Sequence, residues 1–198
     1  SENQSLRIAL AKQQELEREI KALHDQFATT SISSRVLLPA NIVGIKSFVP
    51  GFSLPAEIIL DQGEQEGVRV GQVVLSRDII IGRITHVSTH ASRVELTTKE
   101  GFSMTAKTSK TGAIGIIKGK GSGVMVLENV LLSEKLEVND IVMTKGSVNE
   151  NGVGSPPDLM LGRVISLNKK ASELFQSAEV VPLVDVVQLK TVFILSQS

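Results

Sequence analysis

The sequence predicts a mainly β protein in which an N-terminal α-helix, expected to form a coiled coil, is followed by two small β-barrel domains. The first 28 residues contain neither Gly nor Pro and are rich in helix-forming residues. From residue 36 onward, short apolar runs alternate with turn residues, which is typical of a barrel or sandwich. A strand, a turn-rich gap and a strand that opens on Gly-Arg occur twice, within 70–84 and within 138–164. This repetition indicates a duplicated β unit.

The N-terminal helix, residues 1–28, follows a heptad pattern. Six of the seven a and d positions are apolar, and such a seam favours pairing of two helices. Gln13 is the polar exception, which is expected to fix the register at a cost in stability. The alternative is a single amphipathic helix that packs on its own domain. The predicted dimer interface consists of Leu6, Ala9, Gln13, Leu16, Ile20, Leu23 and Phe27.

The rest of the chain divides into a linker and three β segments. Residues 29–35 are rich in Ser and Thr and are expected to link the helix to the barrels. The first barrel is predicted at 36–100 and the second at 101–175, each with one copy of the repeat. Residues 176–198 supply C-terminal strands, and the sequence leaves open whether those within 178–195 close the second barrel or return to the first. Small barrels of this kind are expected to offer strand edges to partners.

The composition excludes several functions. Lys and Arg together number 21, as do Asp and Glu, so the formal net charge is zero. A dominant field for nucleic acid or an anionic membrane is therefore not expected. The absence of Cys excludes disulfides, thiol catalysis and Cys-bound zinc. No apolar run reaches the roughly 18 residues that a membrane span needs.

Candidate catalytic and ligand-binding residues are few. His24 lies in the helix, His90 in a turn and His86 in a strand, and the chain contains neither Gly-x-Ser-x-Gly nor Gly-Asp-Ser-Gly. His86 and His90 are four residues apart, a spacing that would suit zinc on a helix but not on a strand and turn. We therefore predict no catalytic, cofactor-binding or metal-binding residues, and no enzymatic activity.

Two further motifs favour structural roles. In the Gly-rich stretch 119–123, Ser122 does not directly follow Lys120 and a strand follows instead of a helix, so a hairpin is predicted rather than a phosphate loop. Its Lys118 and Lys120 remain available to a partner. In Gly82-Arg83 and Gly162-Arg163, glycine is expected to permit a bulge while each arginine pairs with a local carboxylate; the alternative is an exposed contact.

An ordered series of motifs within 55–195 resembles the MreC family of bacterial rod-shape-determining proteins. Residues 61–71 match its D-x-G-x-x-x-G-V-x-x-G signature, in which Asp61 is expected to bond its own backbone within a turn. Asn139 stands where the family usually has Gly, a departure expected to change only a loop. The later motifs, in order, are Gly82-Arg83-Ile84, Ser92-Arg93-Val94-Glu95-Leu96, Thr111-Gly112-Ala113, Val138-Asn139-Asp140, Pro156-Pro157, Gly162-Arg163-Val164 and Leu174-Phe175-Gln176.

The resemblance implies a non-enzymatic scaffold that organises peptidoglycan synthases in the elongation machinery. It implies self-association into dimers or filaments, and partners that include a class B penicillin-binding protein and other membrane proteins of that machinery. It also implies an extracytoplasmic location, anchored to the inner membrane by a transmembrane helix that precedes Ser1, and no cofactor or nucleic-acid partner. The alternatives are a periplasmic adaptor of an export system and an inactive trypsin-like double-barrel protein.

Overall fold

A computed structural model describes Lys12 and residues 36–46, 48–50, 53–148 and 154–196 of the chain. The described residues from Leu37 onward form one compact unit. The predicted helix at 1–28 and its seam lie outside the described residues, apart from Lys12. Within the described part, no helix is long and apolar enough to cross a membrane.

β-Strands are the main regular element of the described residues, which confirms the predicted mainly β class. Two 3-10 turns, Glu64–Glu66 and Val186–Gln188, interrupt the strands. The strands are β1 (Val36–Lys46), β2 (Glu57–Leu60), β3 (Val73–Ser76), β4 (Ile79–Val87), β5 (Ser92–Leu96), β6 (Ser103–Thr108), β7 (Ile114–Gly119), β8 (Met125–Leu131), β9 (Ile141–Thr144), β10 (Ser147–Val148), β11 (Gly154–Ser155), β12 (Met160–Asn168), β13 (Phe175–Pro182) and β14 (Thr191–Ser196).

Twelve of these strands form two closed six-stranded rings. The first ring has the order β4-β3-β14-β1-β2-β5 and closes through β4–β5 pairing. The second has the order β13-β8-β7-β6-β9-β12 and closes through β12–β13 pairing. A parallel bridge between Met160 of β12 and Ile79 of β4 joins them. The last two strands are therefore divided, because β13 closes the second ring and β14 returns to the first.

Ring closure alters one expectation about partners. In each ring every strand is hydrogen-bonded to two neighbours over part of its length, which covers many of the edges to which a partner strand was expected to add. Beyond Val164, β12 pairs with β13 alone, so one edge stays open there. The short pair β10–β11 lies outside both rings.

Each ring encloses its own apolar core. The β5 residues Val94 and Leu96 point inward, as their alternation with polar residues predicts. Burying an aliphatic side chain of this size contributes roughly 1.5–3 kcal/mol. The first core includes Ile58, Leu60, Ile84, Val94, Leu96 and Ile194. The second includes Phe102, Ile117, Leu127, Leu161 and Val180.

The predicted equivalence of the two Gly-Arg segments is confirmed by strand pairing. Gly82 on β4 and Gly162 on β12 each lie opposite a valine, Val74 and Val142, directly after a one-residue register shift. Each strand shifts register again two residues later against its other neighbour. Close backbone approach explains the glycines: a Cβ at Gly82 would lie 2.0 Å from the Glu95 carbonyl oxygen, and one at Gly162 2.5 Å from that of Val181.

The turn at the start of each repeat is also equivalent. Gly71 and Asn139 both adopt positive φ, 94° and 69°, and each donates its N–H to a carbonyl oxygen on the last strand of its own repeat, that of Ile84 and Val164 respectively. Asn is the side-chain-bearing residue that best tolerates this conformation, so it replaces the family's usual Gly without altering the turn.

Asp61 forms the expected hydrogen bond with its own backbone, but its main partner is distant in sequence. Its carboxylate accepts hydrogen bonds from Asn41 of β1, from the backbone N–H at 2.7 Å and from Nδ2 at 2.8 Å. These bonds hold the pKa of Asp61 below its ordinary value, chiefly through the Asn41 N–H. Asp61 thus ties the end of β2 to a neighbouring strand, a long-range partner that the local sequence could not reveal.

Candidate functional site

The predicted dimer seam cannot be placed on this structure, because Leu6, Ala9, Gln13, Leu16, Ile20, Leu23 and Phe27 all lie outside the described residues. It remains a prediction. Candidate sites within the described part are therefore surfaces of the two rings and the cleft between them.

The rings carry two histidines, His86 and His90. His86 lies on β4 opposite Arg93, with Nδ1 3.2 Å from Thr85 Oγ1, and His90 is exposed in the turn before β5. Neither imidazole is hydrogen-bonded to a carboxylate within the described ranges. Among those residues, no group of three or more His, Asp or Glu side chains could hold a metal ion.

The glycine-rich stretch 119–123 connects β7 to β8 as a hairpin, as predicted. A strand follows it, so no helix N-terminus is present to bind a phosphate. Lys118 and Lys120 both contact Glu128 on β8, at 2.9 and 2.7 Å. Hydrogen bonds from both lysines hold the pKa of the Glu128 carboxyl below its ordinary value, and the bond from Lys120 has the larger effect.

The two repeated arginines have different surroundings. Arg83 Nη2 donates to Glu95 Oε1 at 2.7 Å, and the guanidinium lies 5.4 Å from the centroid of the buried Phe102 ring. This matches the predicted pairing with a local carboxylate. Arg163 is exposed and forms no ion pair with the described residues, so the structural role holds for Arg83 only.

A three-cation cluster surrounds Glu57 on the outer face of the first ring. Lys99 Nζ lies 2.6 Å from Oε1, while Lys46 Nζ and Arg93 Nε lie 3.5 and 3.9 Å from Oε2. The Lys99 hydrogen bond, with the charges of all three cations, holds the pKa of Glu57 below its ordinary value of 4.5. Sequence analysis missed this cluster because its members come from β1, β2, β5 and the β5–β6 connection.

The buried carboxylate of Asp140 organises a loop rather than a reaction. Its oxygens accept hydrogen bonds from Ser109 Oγ, the Lys110 N–H, Thr111 Oγ1 and the Ile141 N–H, at 2.8 to 3.4 Å. These bonds join the turn after β6 to the start of β9. These four donors satisfy the hydrogen-bonding capacity of the buried Asp140 carboxylate, which explains why it can be buried.

An exposed apolar cluster lies at one end of the second ring. Phe175 on β13 pairs with Leu131 on β8, and the side chains of Leu131, Leu174 and Phe175 are 49%, 79% and 46% exposed. The buried Gln176 fixes their backbone, because its Nε2 donates to the carbonyl oxygens of Leu131 and Glu134. Neighbouring exposed apolar side chains on a fixed backbone are typical of protein contact sites.

A mostly apolar cleft of about 290 Å³ lies where the rings meet. Its walls include Leu54, Ile80 and Leu183, and its carboxylate, Asp185, accepts from the Val187 N–H to cap a 3-10 turn. The cleft therefore has no catalytic pair of side chains.

Comparison with known proteins agrees with this fold. A family model described as rod shape-determining protein MreC, barrel core, matches residues 53–196. The cell shape-determining protein MreC of Haemophilus influenzae is 29% identical over 140 residues, which is 70% of this chain and 39% of that protein. The chain thus spans about two fifths of the length of this curated relative.

Solved structures match along almost their whole length. MreC of Listeria monocytogenes has a TM-score of 0.70 at 23% identity and covers 100% of this chain and 97% of its own. MreC of Pseudomonas aeruginosa has a TM-score of 0.68 at 22% identity, with 80% and 98% covered. A chain of the complex between penicillin-binding protein PBP2 and MreC of Helicobacter pylori matches with a TM-score of 0.62 at 12% identity. The match covers 83% of this chain and 99% of that one.

Two joined six-stranded rings define a tandem β-barrel protein. Because the barrel-core model matches residues 53–196, most of the sequence, the chain belongs to the MreC family. The resemblance drawn from the motifs is thereby confirmed, and the family is one of bacterial cell-shape determination.

Proposed function

We propose that this chain is a non-enzymatic scaffold of the bacterial elongation machinery, which organises peptidoglycan synthases outside the cytoplasm. Membership of the MreC family supports this role over the export-adaptor and trypsin-like alternatives. Catalysis would belong to the partners.

The exposed cluster of Leu131, Leu174 and Phe175 is the observation that carries this proposal. Ring closure covers many strand edges, and this cluster presents exposed apolar area on a fixed backbone. The H. pylori complex shows that an MreC of this fold assembles with a penicillin-binding protein. We infer that the cluster contacts the extracytoplasmic part of a class B penicillin-binding protein.

Photo-cross-linking in cells tests this contact. A photoreactive residue at Phe175 of the full-length protein should cross-link to the penicillin-binding protein. The same residue at Val70, an exposed apolar position in the turn before β3, is the matched control and should give little product. Equal cross-linking from both positions, or none from Phe175, would remove the cluster from the proposal.

Self-association is the second part of the proposed role. Pairing through the seam at 1–28 would place two copies of the rings side by side and double the number of partner contacts. Tethering to one membrane would then raise the effective concentration, so weak individual contacts suffice.

A further inference from the structure

We propose that one outer face, continuous across the two rings, binds an acidic segment of a partner protein. This face, the basic stripe, consists of Lys46, Arg83, Arg93, Lys99, Lys118 and Lys120. The inference rests on the proposed scaffold function and adds a second contact of different chemistry.

The stripe is continuous because Lys99 belongs to both of its halves. On the first ring, the Lys99 side chain reaches Glu57, which Lys46 and Arg93 also approach. On the second ring, the Lys99 carbonyl oxygen lies only 2.0 Å from where a Cβ of Gly119 would stand, so Gly119 packs directly on it. Lys118 and Lys120 flank that glycine.

Arg83 provides a second connection between the halves. It pairs with Glu95, which is opposite Glu57 in the strand register, and its guanidinium covers Phe102 at the start of the second ring. The next residue, Ser103, pairs with Lys118. The cations therefore form a row across neighbouring strands rather than isolated surface charges.

Within this face the carboxylates lie beneath the cations. The side chains of Glu57, Glu95 and Glu128 are 16%, 14% and 26% exposed, whereas those of the six cations are 31% to 51% exposed. Six cations over three carboxylates leave three surplus positive charges, and the exposed Glu100 at the border, beside Gly121, lowers the surplus to two. Solvent and partners thus meet a positive face whose cations are already held in place.

The surroundings favour an acidic protein segment over a dense polyanion. The chain as a whole has no net charge, so it lacks the strong field that attracts nucleic acid or a phosphate polymer. Half-buried Ile59 lies between Arg93 and Gly44 in the register, which adds an apolar contact among the cations. Glu57 and Glu95 would repel a continuous run of phosphates. A peptide in which carboxylates alternate with apolar residues can instead place its charges on the cations and an apolar side chain on Ile59.

Titration of a defined probe onto the full 198-residue chain tests the stripe. The probe is a fluorescent twelve-residue peptide in which glutamate alternates with leucine. Neutralising two outer cations in the double variant Lys46→Gln, Lys120→Gln should weaken binding about tenfold at low salt and flatten the dependence of Kd on salt. The matched control is Lys110→Gln, Lys169→Gln, which removes two exposed lysines that form no ion pair within the described residues and should leave Kd unchanged.

Three outcomes would overturn the proposal: equal weakening in the stripe and control variants, tighter binding of inorganic polyphosphate than of the peptide, or tighter binding of vesicles that contain anionic lipid. Unchanged thermal unfolding of both variants shows that any lost binding is not a folding defect. If the peptide fails to bind while Phe175 still cross-links to the penicillin-binding protein, the stripe inference falls and the scaffold proposal stands. If the Phe175 cross-link is lost while the peptide still binds, the apolar cluster is removed from the proposal and the stripe inference stands.

Discussion

Two glycines and one carboxylate show how single residues shape these rings. Gly82 and Gly162 let neighbouring strands approach more closely than any side chain would permit, at the same point of each repeat. Glu57 gathers three cations from separate segments and fixes the charge of one face. Both features depend on exact residue type, so conservative substitutions should have large effects.

Replacement of either repeat glycine should destabilise the fold. Gly82→Ala or Gly162→Ala places a Cβ against a backbone carbonyl oxygen that cannot move without shifting a strand, so the expected loss is about 1–3 kcal/mol in the free energy of unfolding. Gly44→Ala is the control, because its Cβ would make an ordinary 3.7 Å contact with Ile59; it should cost less than about 0.5 kcal/mol. Urea unfolding measures the three variants, and equal values would refute the close-approach explanation.

The Glu57 cluster should make stability depend on pH in acid. The pKa of Glu57 is lowered in the folded state, so its ionised form stabilises the fold above pH 4.5 and this contribution disappears as pH falls through the folded pKa. The difference in unfolding free energy between wild type and Glu57→Gln should therefore be greatest at neutral pH and shrink below 4.5. Glu173→Gln removes a more exposed ion pair with Lys170 and should show little effect at any pH. A Glu57→Gln difference that does not change between pH 7 and 3 would contradict this account.

At the scale of elements, the sequence predicts local strands and their repetition but not their long-range pairing. Alternation identifies β5, and the Gly-Arg repeat identifies β4 and β12 as equivalent, because both signals lie within a few residues. The return of β14 to β3 has no local signal, since its partner lies more than a hundred residues away. The basic stripe shows the same division between local and long-range signals. Lys118 and Lys120 can be singled out in the sequence because glycines flank them, whereas the three cations around Glu57 come together only in the folded chain.

The return of β14 should make the first ring depend on the chain's C-terminal strand. Ile194 is buried in the first core and pairs with Val74, so Ile194→Ala should cost about 2–5 kcal/mol. Ser196→Ala, at the partly exposed end of the same strand, should cost less than about 0.5 kcal/mol. Chemical unfolding compares the two, and a small loss for Ile194→Ala would mean that β14 contributes little to the closure of the ring.

At the scale of the whole molecule, the charge pattern separates two kinds of contact. Net charge is zero, yet the basic stripe concentrates cations on one face, while the cluster of Leu131, Leu174 and Phe175 is apolar. An apolar contact tolerates salt and a charged contact does not. A scaffold that uses both kinds of contact can keep one partner bound when the salt concentration rises while another partner dissociates. A second copy of the chain would strengthen both contacts.

The predicted seam at 1–28 would supply that second copy. An isolated helix of this length is marginal in water, so its apolar face must be covered. Burial of Leu16, Ile20 and Leu23 against a partner would contribute roughly 1.5–3 kcal/mol each before ordering costs, which leaves a modest surplus. We therefore expect dimerisation that depends on concentration. Ile20→Asp should shift the chain toward monomer because it places a charge in the apolar seam.

Sedimentation of wild type and Ile20→Asp across a concentration series measures this shift, and circular dichroism checks that the β signal of the rings persists in both. Glu17→Asp is a suitable control, since in this heptad it lies at position e and changes neither the charge nor the a and d residues. It should dimerise like wild type. A wild-type chain that sediments as a monomer at tens of micromolar would show that the helix covers its apolar face in another way, because a seam that buries six apolar residues per copy should already be paired at that concentration.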